Sequence, residues 1–301
     1  MKSFEIEREI KNSDGNQFIQ RIREFSVSTS IFGKNFLELK NHIQAELEPE
    51  YYLKLQNSRF SQQREHGQLE TVRLMHNFLA SAFSLVEHTR NYYRKNYDDG
   101  LAKFSGYQSE VDDKFTTNPL ANFVKCFRQY MQHFQPSFIS YQSNLTEELE
   151  KLKPKILLTR TNILLFSNWN SKAKEYIEEL DGDLDILSVF TEYHSLINGF
   201  YLWFITEQGK IHKDEVVALL ELEEKLKEHR LREMISEYTT SDKHSNETFR
   251  NMVMDMYALD IRNQIEVLPI KKQLEEMIFT LKKKGFINSF QEEKVRSRFV
   301  I

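Results

Sequence analysis

The sequence has a single cysteine, Cys126, which excludes an internal disulfide and any metal site built from several thiolates. A reducing compartment suits such a chain. Proline occurs 5 times and glycine 9 times in 301 residues. So few breakers argue against a turn-rich β protein and for long helices. An excess of charge of one sign is also missing. The formal net charge is −4, so nothing draws the whole molecule toward nucleic acid or an anionic membrane, and a nucleic-acid site must be a local patch. No stretch reaches the ~18 consecutive apolar residues of a membrane span. "GFYLWFIT" is too short for that and reads as part of a buried helix. The opening "MKSFEIEREIKNSDGN" lacks the apolar core of a signal peptide. P-loop, GxGxxG, HExxH, GxSxG and EF-hand patterns are absent, so no cofactor and no metal is expected. The chain reads as a soluble cytoplasmic protein with no membrane partner.

What is present is helical period. "FEIEREI" suits a short strand or a frayed helix equally, and "SDGN" after it is a turn signal. Residues 16–58 read as two helices broken near Gly33. From 62 to 98 the positions Leu69, Val72, Met75, Leu79, Phe83, Val86, Tyr93 and Tyr97 recur at steps mostly of three and four, which predicts one long amphipathic helix ending at "DDG". "PSFISYQSN" and "PKILLTRTNILLF" are rich in β-formers and predict a pair of short strands around "LTEELEKL". "NSKAKEYIEEL", a run over 183–208 and the charged 213–236 segment read as helices. "TTSDKHSNET" is the best linker candidate, and about two more helices follow it, with the basic turn "LKKKG". The expected organisation is an N-terminal helical segment 1–61, a helical core 62–210 with a β-hairpin near 137–166, and a C-terminal helical region 211–301. The fold class is mainly α: a helical bundle with a small β-hairpin.

The stretch "NPLANFVKCFRQYMQHFQP", residues 118–136, carries most of the functional information. Asn118 suits a helix N-cap, Pro119 the first helical position and Pro136 the stop. At about 100° per residue, Leu120, Phe123, Val124, Phe127, Tyr130, Met131 and Phe134 share one arc. Arg128 falls just outside that arc and His133 lies on the far side, so neither is needed for packing. Together they suit metal-free phosphodiester cleavage. An imidazole near its ordinary pKa can move a proton at a ribose 2′-OH or at the leaving oxygen. A guanidinium can hold the phosphate and stabilise transition-state charge. The spacing alone is what chance supplies, because Arg59 and His66 in "RFSQQREH" match it too. Those two lie in a polar stretch with no apolar stripe; context favours Arg128 and His133. A solvated arginine and a helix-terminal histidine are the plain alternative.

"FVKCFRQYMQH" resembles the Arg-x4–6-His signature of the HEPN superfamily (higher eukaryotes and prokaryotes nucleotide-binding domains). Phe127 precedes Arg128, and Gln129 follows where the family usually has Asn, Asp or His. "FLASAFSLVEHTRNYYRK" resembles the helix that partners the motif helix, with Glu87, His88 and Arg90 as the residues expected to support the site. The resemblance covers roughly 62–136 and implies a HEPN-like helical bundle. It also implies a metal-independent endoribonuclease of toxin or phage-defence type. Arg128 and His133 would be catalytic, paired across a homodimer, and an antitoxin or other partner protein would restrain them. The alternative is a non-catalytic helical protein that binds RNA or a partner protein through the same face. "HTRNYYRKNY" interleaves Tyr92, Arg94 and Lys95, a pattern that suits an RNA backbone and a stacked base. It suits equally a helix with one tyrosine edge in the core and its charges in water.

Overall fold

Scarce glycine and proline give long unbroken helices. A computed structural model describes residues 3–97, 104–134, 139–144, 148–240, 275, 278–279, 281–285 and 287–299. The architecture is mainly α-helical with a small three-stranded antiparallel sheet. The helices whose bounds fall among the described residues are α1 (Ser3–Asn12), α2 (Asp14–Glu46), α3 (Pro49–Gln56), α4 (Ser61–Tyr97), α5 (Tyr107–Val111), α6 (Pro119–Gln129), α7 (Arg160–Leu164), α8 (Ser171–Glu179), α9 (Ile186–Ile211), α10 (Lys213–Thr240) and α11 (Ser289–Phe299). No helix among the described residues is long and apolar enough to cross a membrane. The chain divides into two compact units, Gln20–His212 and the discontinuous pair Met1–Ile19 with Lys213–Ile301.

In the discontinuous unit the N-terminus is helical, which settles the strand-or-helix question for "FEIEREI". Ile6 of α1 is fully buried. Ser3 Oγ donates to Glu233 at 2.7 Å, and Arg230 pairs with Glu7 at 2.9 Å, so α1 is held against α10. Beyond Thr240 most of the linker candidate and of the expected C-terminal helices lies outside the described residues. "LKKKG" is a helical end: residues 281–283 are helical and Gly285 takes φ +71°, the left-handed conformation that closes a helix without a Cβ clash.

The unit Gln20–His212 holds a buried apolar cluster running from Phe25 to Phe204. α2 does not break at Gly33, contrary to the sequence expectation. Phe32 and Phe36 on either side are buried, and their packing outweighs the ~1 kcal/mol helical penalty of one glycine. The break comes at Leu47 and Glu48, where Pro49 starts α3. β1 (Ile139–Gln142) pairs antiparallel with β2 (Lys155–Leu158), so the hairpin is where the β-formers placed it. Two details differ. The second β-rich stretch turns helical at Arg160, and a third strand, β3 (Leu184–Asp185), adds to β2 through Leu158 and Leu184. Two residues carry no period for sequence reading to detect. β3 leads directly into α9, whose N-cap is Asp185, accepting from Leu187 N at 3.1 Å and Ser188 N at 3.3 Å.

Candidate functional site

α6 forms as its punctuation dictates. The Asn118 side chain accepts from Ala121 N at 3.0 Å, and Pro119 fills the first turn where no N–H is required. Burial extends beyond the expected stripe, because Ala121, Asn122 and Cys126 are buried along with Leu120, Phe123, Val124, Phe127, Tyr130 and Met131. Asn122 acts as a clamp. Its amide donates to the carbonyls of Phe115, Thr116 and Asn118 at 2.9–3.1 Å and accepts from Asn170 at 2.8 Å. With its hydrogen bonds so committed, Asn122 fixes the entry to α6.

Arg128 is half-buried, with its guanidinium 4.6 Å from the centroid of the Phe83 ring on α4. Its Nε is buried and has no hydrogen-bond partner, and among the described residues the side chain makes no ion pair. Burial raises the pKa of Tyr193 on α9, and the charge of Arg128 opposes that rise. Gln129 is exposed. After Gln129 the helix widens into a π turn, Tyr130–Phe134, so the residues that follow depart from the α-helical step used to place His133. The His133 backbone belongs to this turn; its side chain lies outside the described residues. Arg59 and His66, the second spacing match, are both exposed.

Beside Arg128 lies a cavity of about 330 Å³ between α4, α5, α6 and α9. Phe83, Tyr107, Phe115, Tyr193 and Phe200 give it aromatic walls, while Glu87, Arg90 and Lys125 supply its charges. Glu87 and Arg90 pair at 2.8 Å, each about half exposed (50% and 46%), a contact worth little in stability. Lys125 is exposed and makes no ion pair among the described residues. Burial pushes the Tyr107 phenol up to about 12, against the pull of Arg90. Tyr107 stacks on Tyr93 at 3.7 Å. Arg94 is exposed and its charge also acts on Tyr107.

His88, Tyr92 and Lys95 line a different groove, formed with α2. The residues expected to support one site therefore divide: Glu87 and Arg90 share the cavity beside Arg128, and His88 turns to α2, where its Nδ1 lies 2.7 Å from Ser28 Oγ. The sequence reading missed two things. One is Arg21, which α2 brings to Tyr92. The other is a buried polar cluster where α2 ends. Glu46 there is 6% exposed and accepts from the Tyr141 hydroxyl at 3.0 Å. His42, one turn earlier, lies 3.1 Å from Thr71 Oγ1. Burial raises the Tyr141 phenol, and the Glu46 charge adds to the rise. An acid four residues after a histidine is common on helices, so no sequence signal marked the pair. Among the described residues no group of three or more His, Cys, Asp or Glu is arranged to hold a metal. Comparison with protein-family models, with curated proteins and with solved structures finds no match to this chain.

Proposed function

We propose that the chain acts on RNA as a metal-independent endoribonuclease, with α6 as its working helix. The observation that carries the reading is Arg128: a half-buried guanidinium, without a carboxylate partner among the described residues, packed behind Phe83 and acting on Tyr193, two walls of a cleft that Arg90 and Lys125 also line. A cation held with unspent donors next to an aromatic-lined space suits a phosphodiester. In the reaction the 2′-OH attacks phosphorus, the bond to the 5′-oxygen breaks, and a 2′,3′-cyclic phosphate forms. Arg128 stabilises the phosphoryl charge. His133 takes the 2′-OH proton or returns one to the 5′-oxygen, and two chains in a homodimer supply both roles. Glu87 and Arg90 orient the strand.

A second reading, RNA or protein binding without cleavage, has its own support. The guanidinium face is spent on Phe83, and Glu87 is already paired with Arg90. One assay separates the two. Purified protein is incubated with single-stranded RNA, with and without EDTA. Under the nuclease reading cleavage survives the chelator, leaves cyclic-phosphate ends and spares DNA, which lacks the nucleophile. His133→Ala then costs about 10²–10⁴ in rate, and Arg128→Ala about 10²–10³, whereas Arg59→Ala and His66→Ala are silent. Equal cleavage by wild type and His133→Ala would sink the nuclease reading.

A further inference from the structure

α2 and α4 run side by side, with Phe25 against Tyr92 (ring centroids 5.6 Å) and Phe32 against Phe78 (5.4 Å). Arg21, Phe25 and Ser28 recur at helical spacing on α2, and His88, Tyr92 and Lys95 do so on α4. Both triplets line one groove of about 370 Å³. Its hydrogen bonding is unbalanced. Arg21 Nε and the Tyr92 hydroxyl are both buried without a partner. Arg21, by its charge and its hydrogen-bonding reach, and Tyr97 both oppose the rise that burial gives the Tyr92 phenol, although neither contact has the geometry of a full hydrogen bond. Lys95 is exposed and makes no ion pair among the described residues. His88 commits Nδ1 to Ser28, which leaves Nε2 without a described partner. Glu24 is the one carboxylate among the lining residues, and it pairs with neither cation. Two cations, Arg21 and Lys95, thus face one carboxylate in the lining, and a ligand rich in anionic oxygens would balance the excess.

We propose that this α2–α4 groove binds backbone phosphate of single-stranded RNA, with Arg21 and Lys95 as its charge partners and His88 as a hydrogen-bonding group. The proposal rests on RNA being the ligand, as in the reading above, but not on cleavage. The groove lies on a different side of α4 from the cavity beside Arg128, so it would hold a segment of strand outside the reacting nucleotides.

The test uses the full chain and a fluorescein-labelled 2′-O-methyl oligoribonucleotide, which presents phosphates but no nucleophile. Affinity is read by fluorescence anisotropy over a salt series. Arg21→Gln and Lys95→Gln should each weaken binding several-fold and make the slope of log K against log salt shallower by about 0.7, the value for one phosphate contact on a single strand. Glu24→Gln should tighten binding. Lys174→Gln, an exposed change on α8, should alter nothing. Unchanged affinity and slope in the Arg21→Gln/Lys95→Gln double variant, or no binding by wild type, would overturn the proposal. Lys95→Gln keeps the test valid if the half-buried Arg21 variant fails to fold. Cleavage of the unmodified strand is followed in parallel. Groove-dependent binding without cleavage removes the nuclease and keeps the groove, and cleavage with groove-independent binding does the reverse.

Discussion

Gly67, in the second turn of α4, shows what one missing methyl permits. A Cβ there would sit 2.6 Å from Oε2 of Glu46, and His42 and Thr71 Oγ1 both engage the Gly67 carbonyl, at 3.3 Å and 3.0 Å. On helix propensity alone Gly67→Ala should stabilise by about 1 kcal/mol. Overpacking a buried carboxylate should reverse that sign and cost about 1–3 kcal/mol. A double-mutant cycle by urea denaturation checks the cause: in a Glu46→Ala background the same change should be neutral or stabilising. Additive effects would mean that the carboxylate is not what excludes the methyl. His194 is a residue whose charge state bears on stability. Its ring stacks on Phe36 at 3.9 Å and Phe32 at 5.1 Å, and burial, helped by Lys40, holds the imidazole below the ordinary histidine range. The folded form therefore resists a proton that the unfolded chain accepts near pH ~6.5. Stability is complete above that value and falls as the pH drops from it toward the lowered folded pKa. Denaturation at pH 7.5 and 5.5 should show the loss in wild type and a smaller loss in His194→Leu.

Among the elements, α2 gives the clearest case of packing overriding a local signal. Gly33 keeps a helical backbone, and a Cβ there would meet nothing within 4 Å. Gly33→Ala should stabilise by about 0.5–1 kcal/mol and raise the melting temperature; a fall would mean that the helix needs the glycine after all. The same contrast explains what the sequence disclosed. α4 and α6 were legible because each repeats one signal many times, an apolar period for α4 and a cap, a proline and a stripe for α6. α7 was not legible, because β-formers continue through "RTNIL" while distant partners decide its shape. Arg160 N donates to Asp183 at 2.9 Å, its guanidinium to the Leu180 carbonyl at 3.0 Å, and Trp169 Nε1 to the Ile163 carbonyl at 2.8 Å. The candidate site divides likewise. Arg128 could be picked out on its helix, but Phe83 beneath it and Tyr193 beside it come from α4 and α9. Arg21 joins Tyr92 only because α2 folds back along α4. Local periodicity carries no record of which helices will become neighbours.

At the scale of the whole molecule the two compact units differ in how their sequence is arranged. The unit Gln20–His212 is one continuous stretch, whereas the other is assembled from both ends of the chain. The buried cluster from Phe25 to Phe204, the three-stranded sheet, the cavity beside Arg128 and the α2–α4 groove all fall within the continuous stretch. A stretch of this length buries about 70% of the surface its unfolded chain exposes, enough for an independent core. The division at Ile19 and Gln20 falls inside α2, so cutting there would leave Arg21 in a fraying first turn. Starting at Asp14 restores about two turns ahead of Arg21. Residues 14–212 should therefore express as a helical protein with a single cooperative urea transition. The m-value should be lower than that of the full chain in proportion to the surface buried. Its affinity for the 2′-O-methyl strand should match the full chain, because every residue assigned to the groove is present. A broad, non-cooperative transition by circular dichroism would show that this core is not self-sufficient. A cooperative fold that no longer binds the strand would place the missing contacts in the discontinuous unit.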